Sequence, residues 1–574
     1  MTGPRVVTLF ILFAALSGVK ADCSKHIHAP VVCLSKRSCL EGVWTEGFQT
    51  DCFQSFLGIP YAKPPIGNLR FANPVPAEPW TGVLIATTPK DDCIQKNYLL
   101  PTPAISGQED CLYLNVYVPK KTSKRVLPVM VYIYGGGFFS GSANPYIHGP
   151  EYFMDSQQVV LVTVAYRLGA LGFLSTGDES CPGNFGFKDQ NMALKWVQQH
   201  IKAFGGDPDR VTIFGQSAGG ASAHMHMLSP LSEGLFSQAI VMSGNAGAPY
   251  NEVIKNPLQQ AREQAKFCGI ENANKMKSEQ LIKALRKVNA TTLIDAGDGF
   301  KYWHVDPLVV FRSVVEPEIE GAFMTRDPKE IIRTGEYRHV PWMTGFVPGE
   351  GAVRALSIIS NETLRNDFNA NFDDLLLRMM EFADEGTESS EWRLKQIVNF
   401  YLNGAHRLEK DNVQRFVDII SDRGFFHPLY KTLESYVSYA DLEKNPVYLY
   451  KFAFKGPYSY SFVFTGTTKD YGVVHCDDLI YLFKSPVLFS AGFNKTSIDA
   501  KVILHMVGAF VTFASNGQPT NDGSLKSCNK SMLLKNEGFC DYMEYKNTDD
   551  NGFILQRNNH FPVDAAKFWD KLLV

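Results

Sequence analysis

The sequence predicts an α/β fold, in which a large and mostly parallel central sheet is flanked by helices. Residues 129–134 (VMVYIY) and 211–214 (VTIF) are continuous apolar runs of strand length. Such runs are expected for parallel strands that are buried on both faces. Glycine follows each run directly, and a helix-compatible stretch follows the second run after a tight turn.

The first element is an N-terminal secretion signal. Arg5 precedes an apolar stretch over residues 6–16, and small residues at Val19 and Ala21 suit cleavage after residue 21. No later segment has about 18 uninterrupted apolar residues, and the C-terminal KLLV is no anchor signal. We therefore expect a signal peptide over residues 1–21 and a secreted, extracellular protein without a membrane anchor.

The next informative element is the glycine run after the first predicted strand. Gly135, Gly136 and Gly137 precede Phe138. Consecutive glycines let backbone N–H groups approach a ligand oxygen closely, as half of an oxyanion hole requires. A flexible loop or a phosphate cradle is the alternative, but no G-K-[ST] follows and the pattern G-x-G-x-x-G is missing.

The second strand leads into a G-x-S-x-G motif. Residues 215–219 read GQSAG, and the motif lies where a strand turns sharply into a helix. Such a turn exposes the hydroxyl of Ser217 to a general base, while the N–H of Ala218 faces the developing oxyanion. The sequence thus predicts a nucleophilic serine, against the alternative of a chance match in a loop.

The acid and the base of such a site should follow the serine in chain order. Residues 341–345 (PWMTG) predict another buried strand, with Glu350 in the loop after it. Asp306 and Glu316 are nearly equal candidates for the acid. His475 is the best late histidine among thirteen, and it lies in a predicted loop before a stretch that could start a helix.

Composition is typical of a globular protein. The 574 residues are 45% apolar and 20% charged, with a formal net charge of −3. This charge predicts no nucleic-acid partner. Cysteine and histidine spacings fit no common ligand set, so we expect no metal. Neither a linker composition nor an internal repeat divides the chain, which favours one large domain over residues 22–574.

The chain resembles the carboxylesterase/cholinesterase family over nearly its whole mature length. The matching segments, in family order, are FLGIPYAKPP (56–65), LRF (69–71), EDCLYLN (109–115), YGGGF (134–138), YRLG (166–169), GNFGFKDQ (183–190), the serine motif, GFVPGEG (345–351) and GVVHCDD (472–478). The resemblance implies an α/β-hydrolase fold that acts without a cofactor. It assigns a triad to Ser217, Glu350 and His475, and an oxyanion hole to Gly136, Gly137 and Ala218.

The resemblance also implies structural pairs. Arg70 with Glu109, and Arg167 with Asp189, match buried ion pairs of the family, and Ser243 matches a serine near its acid. A disulfide is implied between Cys93 and Cys111. From spacing alone, Cys528 and Cys540 could form a local bridge, and Cys23, Cys33, Cys39 and Cys52 permit three pairings. Cys476 is expected to be a buried free thiol, and glycosylation sequons lie at Asn289, Asn361, Asn494 and Asn529.

Within the family, Gln216 resembles the insect juvenile hormone esterase form of the motif, since most members have glutamate there. The loop from Cys93 to Cys111 has no tryptophan, which argues against a choline ester. The resemblance implies a serine esterase that hydrolyses the methyl ester of juvenile hormone to the acid and methanol. We expect this small apolar ester to bind in a pocket that Phe138, Trp303 and Phe346 could line. A broad-specificity insect esterase is the main alternative, and a noncatalytic adhesion protein is a weaker one.

Overall fold

The computed structural model describes residue 23 and residues 28–49, 52–120, 126–383, 387–535 and 539–573. The predicted signal peptide, residues 1–21, lies outside this part of the chain. The β-strands in chain order are β1 Val31–Cys33, β2 Ser38–Glu41, β3 Val43–Glu46, β4 Cys52–Pro60, β5 Gly82–Ile85, β6 Gln95–Lys96, β7 Ile105–Ser106, β8 Tyr113–Pro119, β9 Leu127–Ile133, β10 Val160–Val164, β11 Gly206–Gln216, β12 Gln238–Met242, β13 Trp342–Phe346, β14 Val447–Ala453, β15 Tyr542–Asn547 and β16 Phe553–Asn558.

Helices alternate with the strands through the central part of the chain. The α-helices are α1 Glu151–Asp155, α2 Gly169–Phe173, α3 Phe185–His200, α4 Ala218–Leu228, α5 Pro257–Phe267, α6 Ser278–Leu285, α7 Ala290–Asp295, α8 Pro328–Thr334, α9 Ala352–Ser360, α10 Glu362–Ala370, α11 Phe372–Met379, α12 Thr387–Leu402, α13 Val413–Ser421, α14 His427–Tyr439, α15 Ser461–Thr465, α16 Ile498–Asn516, α17 Lys530–Lys535 and α18 Val563–Leu573. Short 3₁₀ helices cover Gly67–Leu69, Ile201–Phe204, Pro230–Ser232, Pro249–Asn251, Ala273–Lys275, Ala296–Phe300 and Asp477–Tyr481, and a π-helical turn covers Asp422–Phe426.

Eleven strands form the central sheet, in the order β16-β15-β14-β13-β12-β11-β9-β10-β8-β4-β3. The seven neighbours from β15 to β10 run parallel, and antiparallel pairs extend the sheet at both edges. Every residue of β9, β10, β12 and β13 is buried. This burial explains why these segments are continuous apolar runs. The predicted fold class is confirmed.

The predicted strands agree with the structure to within a few residues. The run at 129–134 is part of β9, the run at 211–214 is part of the longer β11, and the run at 341–345 overlaps β13. The carboxyl ends of β9, β11 and β13 lie along one edge of the sheet, where ligands of open parallel sheets usually bind. The loops after these strands hold the glycine run, Ser217 and Glu350.

Among the residues that the structure describes, one helix is long and apolar enough to cross a membrane by length and composition. This helix, α16, covers Ile498–Asn516, and 56% of its apolar window is buried inside the protein. It packs against β9 and β11 in the middle of the central sheet. Its apolar surface therefore belongs to the core of the domain.

Four disulfides are present in the described part of the chain. They join Cys23 to Cys52, Cys33 to Cys39, Cys93 to Cys111, and Cys528 to Cys540. The structure selects one of the three pairings that the sequence left open for the first four cysteines. Cys181, Cys268 and Cys476 are free thiols, and Cys476 is buried as expected. Four disulfides fit an extracellular protein.

Candidate active site

Ser217 occupies a strained turn between β11 and α4. Its backbone has φ 59° and ψ −126°, a conformation that non-glycine residues rarely adopt. A hydrogen bond of 2.8 Å from its N–H to the Met242 carbonyl holds the turn against β12. A Cβ at Gly219 would overlap the Ile133 carbonyl oxygen, so only glycine lets the helix start this close to β9. The turn leaves the Ser217 side chain partly exposed and facing a cavity.

The glycine run lies directly against this turn. A Cβ at Gly135 would come within 3.0 Å of the Ser217 Cβ, which shows how closely the two loops approach. Gly136 and Gly137 have φ values of 110° and 60°. Within the described residues, neither N–H donates a hydrogen bond, and the N–H of Ala218 begins α4, where helices lack an internal acceptor. These three donors are those that the sequence predicts for an oxyanion hole.

His475 and Glu350 form a buried pair in two adjacent loops. The Nδ1 of His475 lies 2.5 Å from Oε2 of Glu350, and their side chains are 1% and 0% exposed. The other oxygen, Oε1, accepts a hydrogen bond of 2.9 Å from the Val347 N–H. Because an ionised carboxylate only accepts, Nδ1 carries the proton, and Nε2 is left free to accept one. This tautomer is the one that a general base requires.

Local hydrogen bonds hold the His475 loop in place. The N–H of His475 donates to the Gly349 carbonyl over 3.3 Å, which ties this loop to that of Glu350. The carboxylate of Asp477 accepts from the N–H groups of Val474 and Tyr460 over 2.9 and 2.7 Å. Burial raises the pKa of Asp477 to about 7. These contacts fix the backbone on both sides of the imidazole.

Gln216 contacts Nε2 of His475, the nitrogen that should accept the proton of Ser217. The Nε2 of Gln216 lies 3.3 Å from Nε2 of His475, and Oε1 of Gln216 accepts from the Cys476 thiol over 3.3 Å. Ser217 Oγ has no hydrogen-bond partner among the described residues. The Gln216 amide thus contacts the nitrogen of His475 that Ser217 would need. Hydrogen bonds in catalytic sites often realign when substrate binds.

Two opposing effects act on the pKa of His475. Burial lowers the pKa of His475, whereas the hydrogen bond and the negative charge of Glu350 raise it, and the net direction is upward. Burial also raises the pKa of Cys476, which keeps this residue a thiol. The raised pKa of His475 is consistent with a carboxylate that stabilises an imidazolium.

The two alternative acids are engaged elsewhere. Asp306 accepts from Nε of Arg354 over 2.8 Å, although it does line the cavity at Ser217. Glu316 is fully buried in an ion pair of 2.5 Å with Lys188. Neither of these carboxylates contacts His475 in the described structure, whereas Glu350 does.

The cavity at Ser217 has a volume of about 180 Å³ and is lined by a mixture of apolar and charged side chains. We call it the Ser217 cavity. None of the three aromatic residues predicted to line a pocket lines it, and that prediction is corrected. Phe138 is fully buried and packs against Phe173 and Phe187, and its neighbour Phe139 faces the cavity instead.

The other two aromatic residues also lie outside the Ser217 cavity. Phe346 is buried among Phe426, Tyr542 and Phe561 in the main core. Trp303 donates from Nε1 to the Asp367 carboxylate over 2.6 Å, on the side of the domain formed by α10. Both therefore have packing roles.

The structural pairs implied by the resemblance are present. Arg70 and Glu109 form an ion pair of 2.6 Å, and Arg167 and Asp189 form one of 2.7 Å in which both side chains are at least 97% buried. Ser243 adopts φ 45° and donates its N–H to the Gly345 carbonyl at the end of β13. Its hydroxyl is buried without a hydrogen-bond partner in the described structure.

The described residues include no cluster of three or more histidine, cysteine or acidic side chains able to hold a metal ion. His226 is fully engaged with Ser232 and Gln190 over 2.7 and 3.0 Å. The Nδ1 of His224 accepts from the Ala246 N–H. These two histidines therefore have structural partners.

The comparisons with known proteins agree with this geometry. The model of the carboxylesterase family matches residues 29–559. A juvenile hormone esterase of Tribolium castaneum is 43% identical over 483 residues, which cover 81% of this chain and 80% of that protein. Venom carboxylesterase-6 of Apis mellifera is 34% identical over 84% of this chain and 85% of its own length.

A solved structure extends the similarity to three dimensions. The crystal structure of juvenile hormone esterase from Manduca sexta, with OTFP covalently attached, matches with a TM-score of 0.79. It is 27% identical and covers 95% of this chain and 100% of that chain. With the family model and the similar proteins, this match shows that the chain belongs to the carboxylesterase family and is a carboxylic-ester hydrolase.

Proposed function

We propose that this protein is a secreted juvenile hormone esterase, in which Ser217, His475 and Glu350 form the triad. The contact of 2.5 Å between His475 and Glu350, beside a cavity that Ser217 also lines, is the observation on which the proposal depends. The similarity to juvenile hormone esterases supports the choice of substrate. The four disulfides support secretion, and the sequons at Asn289, Asn361 and Asn494 are exposed, as glycosylation would require.

In the proposed reaction, Ser217 Oγ attacks the ester carbonyl while His475 Nε2 takes its proton. The negative charge on the carbonyl oxygen is bound by the N–H groups of Gly136, Gly137 and Ala218. His475 then gives the proton to the departing alcohol, which is methanol for a methyl ester. Water, activated by the same imidazole, attacks the acyl-enzyme and releases the acid and Ser217.

Glu350 acts through His475 in this mechanism. Its carboxylate holds Nδ1–H over 2.5 Å and stabilises the imidazolium that forms in each half-reaction. For Ser217 to react, Nε2 of His475 must exchange its contact with Gln216 for one with the serine hydroxyl. We infer that the Gln216 amide holds the base before an ester binds and moves aside when the ester enters.

A broad-specificity esterase is the second candidate, and the size of the Ser217 cavity favours it. Drug-sized ligands usually occupy about 300–1,000 Å³, whereas this cavity has about 180 Å³. A short ester fits such a space without rearrangement, and a long terpenoid ester requires the lining side chains to move. A noncatalytic adhesion protein would not need the buried acid and base pair.

Two measurements on the purified protein test the proposal. We expect Ser217→Ala to lose hydrolysis by a factor on the order of 10⁶ and to lose covalent attachment of OTFP, observed as a mass increase in the wild type. Equal attachment in Ser217→Ala would identify another nucleophile. The substrate is tested by kcat/KM for juvenile hormone and for short naphthyl esters. If the short esters are thousands of times better substrates, the hormone assignment is wrong and the second candidate stands.

A further inference from the structure

The Ser217 cavity adjoins a second, larger cavity of about 1190 Å³. Six residues line both cavities, and we call them the junction: Tyr302, Pro307, Arg312, Arg378, Glu381 and Arg423. Four of these six side chains carry a formal charge, namely those of Arg312, Arg378, Glu381 and Arg423. The junction is therefore much more polar than a passage for an apolar chain would be.

Four arginines line the Ser217 cavity, and three of them are neutralised. Arg354 pairs with Asp306, and Arg312 pairs with Glu381 over 2.7 Å. Arg378 pairs with Asp374, one turn earlier on α11, over 2.9 Å. Arg423 is the fourth, and its side chain has neither an ion pair nor a hydrogen bond with any residue that the structure describes.

Arg423 is also deeply buried. It is 8% exposed, and its Nε is buried without a hydrogen-bond partner in the described structure. Its guanidinium lies against the rings of Phe382 and Trp569, with centroid distances of 5.6 and 5.9 Å. The adjacent Asp422 does not neutralise it, because that carboxylate accepts from the Tyr401 hydroxyl over 2.7 Å. Aromatic contacts thus hold the cation without supplying a counter-charge.

The two carboxylates that interact with the charge of Arg423 already form ion pairs with other residues. Glu381 and Glu252 both interact with Arg423 through space, but Glu381 pairs with Arg312 and Glu252 pairs with Lys329 over 3.0 Å. A buried charge without a paired group is costly, and an anion that reaches it recovers that cost. Arginine stays protonated even when burial lowers its pKa, so the site is permanently cationic.

The backbone at Arg423 is itself unusual. The residue lies in the π-helical turn Asp422–Phe426, between α13 and α14. Such turns are rare and occur often at functional sites. The same turn places Gly424 and Phe425 in the wall of the Ser217 cavity, and the Phe425 ring lies 4.9 Å from that of His475. Arg423 is therefore on the element that also packs against the proposed base.

We propose that Arg423 is a binding site for the carboxylate of the acid product, between the Ser217 cavity and the larger one. This proposal rests on the proposed esterase function, since hydrolysis at Ser217 creates a carboxylate in the cavity that Arg423 lines. A guanidinium binds a carboxylate with two parallel hydrogen bonds, which a neutral ester cannot match. The site therefore distinguishes product from substrate by charge, and it draws the acid away from Ser217.

The test compares the affinities of decanoate and decanol, which share a chain and differ in charge. Titration calorimetry on the wild-type protein measures both dissociation constants without any turnover. We expect decanoate to bind at least ten times more tightly. In Arg423→Met this preference should disappear, and in Arg423→Lys part of it should remain. Arg333→Met is the matched control, because Arg333 is exposed and lines only the larger cavity, and it should keep the preference.

Equal affinity of decanoate and decanol in the wild type would overturn the proposal without any variant, even if Arg423→Met fails to fold. An equal loss of both affinities in Arg423→Met would also overturn it, because it would indicate a purely structural residue. Failure of the proposed function gives a different result. A protein that binds decanoate through Arg423 but does not hydrolyse juvenile hormone contradicts the substrate assignment and leaves this site intact.

Discussion

Replacing Gln216 with glutamate should move the pH dependence of catalysis to higher pH. The Gln216 side chain is 1% exposed, and its Nε2 lies 3.3 Å from Nε2 of His475. Glutamate has nearly the same shape, so its carboxylate would replace the amide at this position. A negative charge there stabilises the imidazolium and raises the pKa of His475. The base must be neutral to accept the Ser217 proton, so a larger fraction of the enzyme is inactive at a given acidic pH.

The distance sets the size of the effect. Unit charges 3.3 Å apart attract each other by about 5 kcal/mol at an effective dielectric constant of about 20. Most of this attraction is offset, because the new carboxylate is buried and is repelled by Glu350, which already contacts His475. We expect a net gain of about 1.4 kcal/mol, which corresponds to one pKa unit. The acidic limb of the kcat/KM profile should therefore move up by about one pH unit.

The assay is kcat/KM for a soluble aryl ester across the acidic limb, in buffers of constant ionic strength. Gln216→Met is the matched control, because it removes the amide without adding a charge. The acidic limb of the kcat/KM profile should lie at higher pH in Gln216→Glu than in Gln216→Met. The activity of Gln216→Glu should recover at alkaline pH. Coincident limbs in the two variants would refute the reasoning, since they would mean that residue 216 does not interact with the base.

Three further predictions concern the acid, the serine turn and a buried ion pair. Glu350→Gln should lower kcat by roughly 10⁴ and move the acidic limb of the pH profile to lower pH, because the carboxylate that raises the pKa of His475 is lost. An unchanged midpoint of thermal unfolding would show that the variant is folded, and a near-normal kcat would contradict the role of Glu350. Gly219→Ala should reduce the yield of folded protein, since the new Cβ overlaps a carbonyl of β9, and wild-type stability in thermal unfolding would contradict this packing. Asp189→Asn should lower the free energy of unfolding by about 3–5 kcal/mol in denaturant, because Arg167 stays buried without its counter-charge. A decrease below about 1 kcal/mol would indicate that water reaches the ion pair.

Much of the fold could be predicted because short sequence patterns specify its central strands. The strands β9 and β13 and the second half of β11 are buried on both faces, so each of these segments is an apolar run, and glycine lies close to the point where the chain turns at the sheet edge. The position of Ser217 follows from the same local chemistry. In contrast, Glu350 and His475 come together from loops 125 residues apart. Spacing alone could not choose them over Asp306, and family resemblance was required.

The residues that line the cavity could not be predicted from proximity to motifs. Phe138 and Phe139 are neighbours in one tight turn, and adjacent side chains in such a turn point in different directions. Only the second faces the cavity. Trp303 likewise lies next to Tyr302, which lines the cavity while Trp303 packs on the side of α10. An aromatic residue near a motif is therefore no guide to which aromatic contacts a ligand.

The polar contacts around His475 escaped prediction for another reason. Cys476 was expected to be a buried free thiol, and it is one, but burial alone does not show that it donates to Gln216. That hydrogen bond fixes which end of the amide faces His475, because the carbonyl oxygen accepts from the thiol and the NH₂ group is left for the imidazole. The thiol and the amide thus define the resting partner of the base. A glutamate at position 216 has no NH₂ group to donate, so glutamine in this chain offers the neutral imidazole a hydrogen-bond donor that glutamate lacks.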